Sequence, residues 1–390
     1  MIDYQKALSD CVKEIKPSGI RKFFDIAASM DDVISLSIGE PDFVTPWHIR
    51  EAGISSLEHG QTHYTSNAGL IQLREEIGNY LERRFKVKYS ADELIVTVGG
   101  SEAIDLCMRA LINPGDEVLI PEPSFVCYTP IARLAGGVPK AIVTKPEDEF
   151  RLTAAALKAA ITPKTKLLVL PYPNNPTGAV MRREDLEEIA AVLRESNVFI
   201  LSDEIYAELT FGRRSHVSIA AIEGMWERTV LVSGFSKAFS MTGWRLGYVA
   251  APKEITKMML KIHQFAIMSS PSTAQYAAIE AMKNGDDDVR MMRTEYNKRR
   301  KLIFDGLTEL GYPCFEPYGA FYIFPCISHL GMTDEEFCQK LIYEQRLAIV
   351  PGSAFGESGR GHVRISYAYS TENLKEALRR LKIFTEKYRR

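Results

Sequence analysis

Residues 229–237 read Thr229-Val230-Leu231-Val232-Ser233-Gly234-Phe235-Ser236-Lys237. A short apolar run ends abruptly in serine, glycine and lysine. Such a run, bounded by turn formers, reads as a strand buried on both faces. The same shape recurs at Leu94–Val98, Glu117–Ile120, Lys166–Leu170, Asn197–Leu201 and Leu246–Ala250. Helical patterns accompany them at Ser101–Ile112, Arg183–Glu195 and Lys253–Phe265. Strand–helix alternation predicts an α/β fold with a mostly parallel central sheet flanked by helices.

The pattern changes after about residue 280. Asn284-Gly285-Asp286-Asp287-Asp288 reads as a break, and a long charged helix follows over Val289–Leu310. A strand over Gly319–Phe324, a helix near Thr333–Gln345 and a strand near Gly361–Ser366 complete a smaller α+β domain. The expected division is 46–283 for the large domain and 284–390 for the small one. The segment 1–45 joins the small domain.

At 390 residues the chain is long enough to bury a core without disulfides or metal. Hydrophobic residues make up 46% and charged residues 25%, as in ordinary globular proteins. A net charge of -2 gives no basic field for nucleic acid or an anionic membrane. Cys11, Cys107, Cys127, Cys314, Cys326 and Cys338 make no C-x-x-C pair and no zinc spacing. They read as free thiols of a reducing cytoplasm, and no metal site is expected. The first residues carry acidic groups and lack an apolar stretch, so no signal peptide is expected, and no run suggests a membrane span.

Ligands of open α/β sheets bind beyond the carboxyl ends of the strands. Several chemically loaded segments fall there. Lys237 follows one strand, and a lysine stripped of water has a lowered pKa and becomes a nucleophile. Arg245, eight residues on between Gly243 and Gly247, carries a guanidinium that matches phosphate, and Ser236 can add a hydroxyl. Asp203 ends Val198–Leu201-Ser202, where a carboxylate needs a cation or must cap a helix. Tyr206 lies on the same edge, as phenol or as core residue. Gly100-Ser101 opens a helix, whose amides form an anion site. Asn175 sits in the turn Tyr172-Pro173-Asn174-Asn175-Pro176-Thr177-Gly178, and Phe125 in Pro121-Glu122-Pro123-Ser124-Phe125 offers a flat ring for stacking or plain packing. Arg364 interrupts the apolar strand Val363-Arg364-Ile365-Ser366, which calls for a carboxylate from the protein or from a ligand. No G-x-G-x-x-G or Walker loop occurs.

Together, and in this order, these segments resemble the class I/II aminotransferases, the fold type I enzymes that depend on pyridoxal 5'-phosphate. The match runs from Ile38-Gly39-Glu40-Pro41-Asp42-Phe43-Val44-Thr45-Pro46 to the Arg364 strand. The resemblance implies that Lys237 holds the cofactor as a Schiff base and then carries the proton between two carbons. Asp203 pairs with the pyridine nitrogen, and Tyr206 and Asn175 with the 3-oxygen. Gly100, Ser101, Ser236 and Arg245 bind the phosphate, and Phe125 stacks on the ring. Arg364 and Gly39 take the substrate α-carboxylate. Tyr64, in Thr62-His63-Tyr64-Thr65, is similar to a family tyrosine that reaches the phosphate of the neighbouring subunit, which implies a homodimer with shared active sites. Many relatives carry a phosphate-binding serine three residues before the lysine. Here it is Gly234, which leaves Ser233 or Ser236 for that hydroxyl.

The implied reaction transfers the amino group of an L-amino acid to a 2-oxo acid such as 2-oxoglutarate. A dicarboxylate donor needs a second cation, and His263–Ser270, where some relatives place an arginine, offers none, which leaves Arg21 or polar groups. Ser18-Gly19-Ile20-Arg21-Lys22-Phe23 and the Asn175 turn resemble bacterial aspartate or aromatic aminotransferases. A β-carbon–sulfur lyase of the same cofactor is the alternative. A cofactor-sensing regulator ranks last, because the residues before Gly39 are too few for a DNA-binding domain.

Overall fold

The computed structural model of the protein describes residues 2–17, 19, 23, 26–27 and 30–389. Ile34–Ser35 (β1) precedes the main sheet. That sheet contains Leu94–Thr97 (β2), Glu117–Glu122 (β3), Val138–Val143 (β4), Thr165–Leu170 (β5), Phe199–Asp203 (β6), Thr229–Gly234 (β7) and Gly247–Ala250 (β8). Their spatial order is β2-β8-β7-β6-β5-β3-β4. β8 runs antiparallel to both its neighbours, and the other pairs are parallel.

The uninterrupted apolar runs have a physical reason. Val230 and Val232 enter one core cluster while Leu231, between them, enters another. In β5, Leu167 and Val169 face one layer, and Leu168 and Leu170 the other. Both faces are therefore covered, and each such side chain gains about 1.5–3 kcal/mol from leaving water. Helices Gly99–Leu111 and Lys253–Ala266 lie in the first layer with Ile104, Cys107 and Met259. Helix Arg183–Arg194 supplies Leu186, Ile189 and Leu193 to the opposite one.

The chain end builds a second core. Tyr322–Ile323 (β9), Leu347–Ala348 (β10), Val350–Pro351 (β11) and Val363–Ser366 (β12) form two small sheets, β11-β12-β9 and β1-β10. Helices Asp286–Glu309, Asp334–Gln345 and Thr371–Tyr388 pack on them through Ile303, Leu341 and Phe384.

Some expected bounds move. The long helix starts at Asp286, not Val289, because Asp286, Asp287 and Asp288 sit in its first turn, where acidic groups offset the helix dipole. The break shrinks to Gly285, a glycine because a Cβ there would lie 2.8 Å from the Phe239 ring. The strand expected over Gly319–Phe324 shortens to Tyr322–Ile323: Ala320 takes φ 57°, and the Gly319 and Ala320 amides donate to Gly178 and Leu209 carbonyls instead. The last strand begins at Val363, not Gly361, whose φ of 77° turns the chain. Among the described residues no helix is long and apolar enough to cross a membrane.

Candidate active site

The carboxyl ends of β3, β5, β6 and β7 lie along one sheet edge, and β2, parallel to β7 across β8, ends there too. A cavity of about 380 Å³ opens beyond it. Its wall includes Gly39, Gly100, Ser101, Phe125, Asn175 and Asp203. Tyr206, Ser236, Lys237, Arg245 and Arg364 line it too, so residues from both ends of the chain meet in one place. Tyr64 lies elsewhere. It is 83% exposed and lines a surface groove with His63 and Ser269–Ser272.

Lys237 follows β7 on a short turn and donates from Nζ to the Gly39 carbonyl at 2.6 Å. The rings of Tyr206 and Phe321 lie 5.7 and 5.6 Å from Nζ. Burial lowers its pKa to about 8. Glu40 opposes that fall, and Arg364 and Arg245 add to it. The side chain is thus held near the point where a neutral amine becomes abundant.

Asp203 ends β6 and is buried. Burial raises its pKa, against a hydrogen bond donated by Tyr128 Oη at 2.7 Å and another from the Ile205 amide at 3.2 Å. Among the residues near it, Lys237 supplies a cationic influence, so a carboxylate with room for a further cationic partner faces the cavity.

The opposite wall gathers anion-binding groups. Helix Gly99–Leu111 presents its first-turn amides, which have no intrahelical acceptor. Gly99 takes φ 75°, and a Cβ there would lie 2.5 Å from Arg245. A Cβ on Gly247 would lie 2.7 and 2.8 Å from the Gly99 and Gly100 backbones, so β8 can touch the helix start only with glycine. Arg245 itself takes φ 51° and donates to the Thr242 carbonyl at 3.1 Å. Ser236 lines the cavity, while the Ser233 hydroxyl donates to the Glu204 carbonyl at 3.3 Å.

Arg364 is 2% exposed. It donates to Asn175 Oδ1 at 2.9 Å and to the Ser37 carbonyl, stacks 4.5 Å over Tyr322, and leaves Nε without a partner among the described residues. Buried guanidinium donors without acceptors are costly, and a ligand carboxylate would satisfy them. Because Asn175 Oδ1 is engaged, its amide nitrogen remains to donate.

Two residues escaped the sequence reading. Tyr128 supports Asp203 and meets Phe125 edge to face at 6.0 Å. Tyr322 joins Tyr206, hydroxyl to hydroxyl, at 2.8 Å, and its own hydroxyl occupies the space a Cβ on Gly39 would need. Spacing carried a signal for the first, three residues after Phe125 and hence within reach of the same strand end. Tyr322 gave none, because it reads as one aromatic in the run Phe321–Phe324. Arg21, weighed for a second carboxylate, lies outside the described residues. Among the described residues, the cations lining the cavity are Lys237, Arg245 and Arg364.

Comparison with known proteins places these features in context. Residues 31–381 match the family described as aminotransferase class I and II. A Bacillus subtilis protein named "Putative aminotransferase YugH" is 55% identical, with 97% of this chain and 98% of that protein covered. An aspartate aminotransferase of Pyrococcus abyssi is 47% identical over 98% of this chain and 99% of its own. The crystal structure of an aromatic aminotransferase from Pyrococcus horikoshii superposes with a TM-score of 0.90 at 44% identity, covering 94% of this chain and 99% of that one.

Proposed function

The chain belongs to the class I and II aminotransferases, and from that premise we propose that its cavity holds pyridoxal 5'-phosphate and passes an amino group from an L-amino acid to a 2-oxo acid. The observation that carries the reading is Lys237: an amine with a pKa lowered to about 8, in one cavity with a buried carboxylate and two arginines.

The residues present fit that cofactor. Asp203 would hold a protonated ring nitrogen, which answers its need for a cationic partner. Gly100, Ser101, Ser236 and Arg245 would hold the phosphate. The free amide of Asn175 and the Tyr206 hydroxyl would meet the 3-oxygen, and Phe125 would lie on the ring. When bound, the cofactor supplies an electron sink for the carbanion formed at the substrate α-carbon. Arg364, with donors already aimed by Asn175 and Tyr322, binds the α-carboxylate. Lys237, as a neutral amine, takes the α-proton at Nζ and returns it elsewhere. The Gly39 carbonyl, accepting from Nζ, keeps that nitrogen in place.

Exposure of Tyr64 and of Phe265, at 83% and 86%, supports a homodimer that covers both and shares its sites. A division into 46–283 and 284–390, with 1–45 joining the latter, is supported by β1 pairing with β10 and by Leu36 packing in the core of Phe337 and Leu341. Unpaired thiols support a cytoplasmic location. Relatives are named for aspartate, aromatic amino acids and N-acetyl-LL-diaminopimelate, and an assay of aspartate and aromatic donors with 2-oxoglutarate separates the two types favoured here. Pyruvate release without any oxo acid would indicate the lyase instead.

Borohydride reduction of the loaded enzyme followed by peptide mass spectrometry tests the centre of the proposal. The cofactor is expected on the peptide containing Lys237, and Lys237→Ala is expected to lower turnover at least about a thousandfold. Label on another lysine, or full turnover in Lys237→Ala, overturns it.

A further inference from the structure

Behind the helix that faces the phosphate lies a partly buried carboxylate–imidazole contact that the reaction described above does not use. Glu102 stands one residue beyond Ser101, in the first turn of helix Gly99–Leu111. One carboxylate oxygen accepts from the Val98 amide, and the other meets Nδ1 of His263 at 2.6 Å. His263 belongs to helix Lys253–Ala266, which packs along the first helix. It has no solvent exposure, and among the described residues its Nε2 finds no hydrogen-bond partner.

Helices are normally capped by a side-chain oxygen of the preceding residue. Here that residue is Val98, which has none. Glu102 does the work from inside the helix, and so ties the amide of the N-cap residue. The amides of Gly100 and Ser101 then remain for a ligand. Capping alone would not select this arrangement, because a serine or asparagine in place of Val98 would cap without partly burying a carboxylate. A carboxylate so near an anion site opposes the anion, and a buried ring nitrogen without a partner carries a desolvation cost. Apolar residues of the same size would avoid both.

We infer that Glu102 and His263 are positioning residues for the phosphate end of the cofactor. His263 fixes the Glu102 carboxylate, Glu102 fixes the Val98 amide, and the Val98 amide sets the direction of the Gly100 and Ser101 amides. Neither residue touches the ligand. The inference rests on the proposed cofactor.

The test compares two probes on the cofactor-free, full-length protein: pyridoxal 5'-phosphate and pyridoxal, which lacks the phosphate. His263→Leu and Glu102→Ala are expected to weaken binding of pyridoxal 5'-phosphate about tenfold and to change pyridoxal less than about twofold. His263→Asn and Glu102→Gln should restore most of the loss. An asparagine amide can still donate to Glu102. A glutamine can still accept from Val98 while donating to His263. A merely structural role would weaken both probes together. Parallel loss of both, or no loss of either, overturns the inference. If His263→Leu does not fold, Glu102→Ala and the two conservative variants give the same ratio. Should the unaltered protein bind the two probes equally, the proposed cofactor reading fails, which is a different result.

Discussion

Tyr128 donates to Asp203 at 2.7 Å, and the consequence of deleting that hydroxyl follows from the direction of its influence. The bond holds the Asp203 carboxyl down against burial. In Tyr128→Phe the carboxyl rises further and grips a protonated ring nitrogen less well. A hydrogen bond to a charged group contributes about 1.5–3 kcal/mol, so kcat should fall about tenfold or more. KM should change little, because Arg364 and Asn175 are untouched; steady-state kinetics would show the split. Lys237 gives a second prediction at this scale. At pH 7, a pKa near 8 leaves roughly 300 times more neutral amine than the ordinary lysine value would. The reaction of the cofactor-free enzyme with a carbonyl probe should therefore accelerate as pH rises and level off above about 8. A midpoint above 10 would contradict the desolvation argument. Lys237, Asp203 and Arg364 were legible in sequence because each puts a charge where the pattern demands an apolar residue or a turn. Tyr128 and Tyr322 were not, because a tyrosine in apolar company fits an ordinary core.

In the main sheet, strands were legible where both faces are buried, since a continuous Val, Ile and Leu run is what two covered faces require. Val138–Val143 was missed for the converse reason. It is the sheet's edge, carries Pro139 and Lys140, and is largely exposed, so its sequence lacks an apolar run. The buried two-residue strands Leu347–Ala348 and Val350–Pro351 were missed because each is too short to stand out as a run. The reversed direction of β8 was also hidden, because composition does not encode polarity. Its glycine spacing did carry information. Gly247 lets β8 touch the helix start, whereas a Cβ on Gly243 would meet nothing within 4 Å. Gly247→Ala should push the Gly99–Gly100 backbone away from the cavity, at about 1–3 kcal/mol of overpacking. Retention of pyridoxal 5'-phosphate should fall with it. Gly243→Ala, in the same loop, should stay within about 0.5 kcal/mol of the parent. Thermal unfolding and cofactor titration of both variants would check this. Equal effects would detach the glycine pattern from the phosphate wall.

At the scale of the molecule, the site described so far comes from a single chain, yet Tyr64 stands apart from it on an exposed surface. If two copies share their sites, Tyr64 of one serves the phosphate held by the other, and the arrangement has a countable consequence. Lys237→Ala lacks the amine in every site, and Tyr64→Ala lacks the phenol in every site. When the two variants are unfolded together and refolded, about half the dimers are mixed, and a two-fold dimer has two sites. In each mixed dimer one site has lost both groups, and the other takes Lys237 from one chain and an intact Tyr64 from its partner. About a quarter of all sites should therefore regain parental affinity for pyridoxal 5'-phosphate and parental turnover. Were Tyr64 to act within its own chain, each mixed dimer would hold one site of each defective kind, and mixing would restore nothing above the average of the two variants. Phe265→Asp sharpens the comparison. Placing a charge on that exposed ring's position should shift the protein toward monomers in sedimentation and weaken cofactor binding, although Phe265 does not line the cavity.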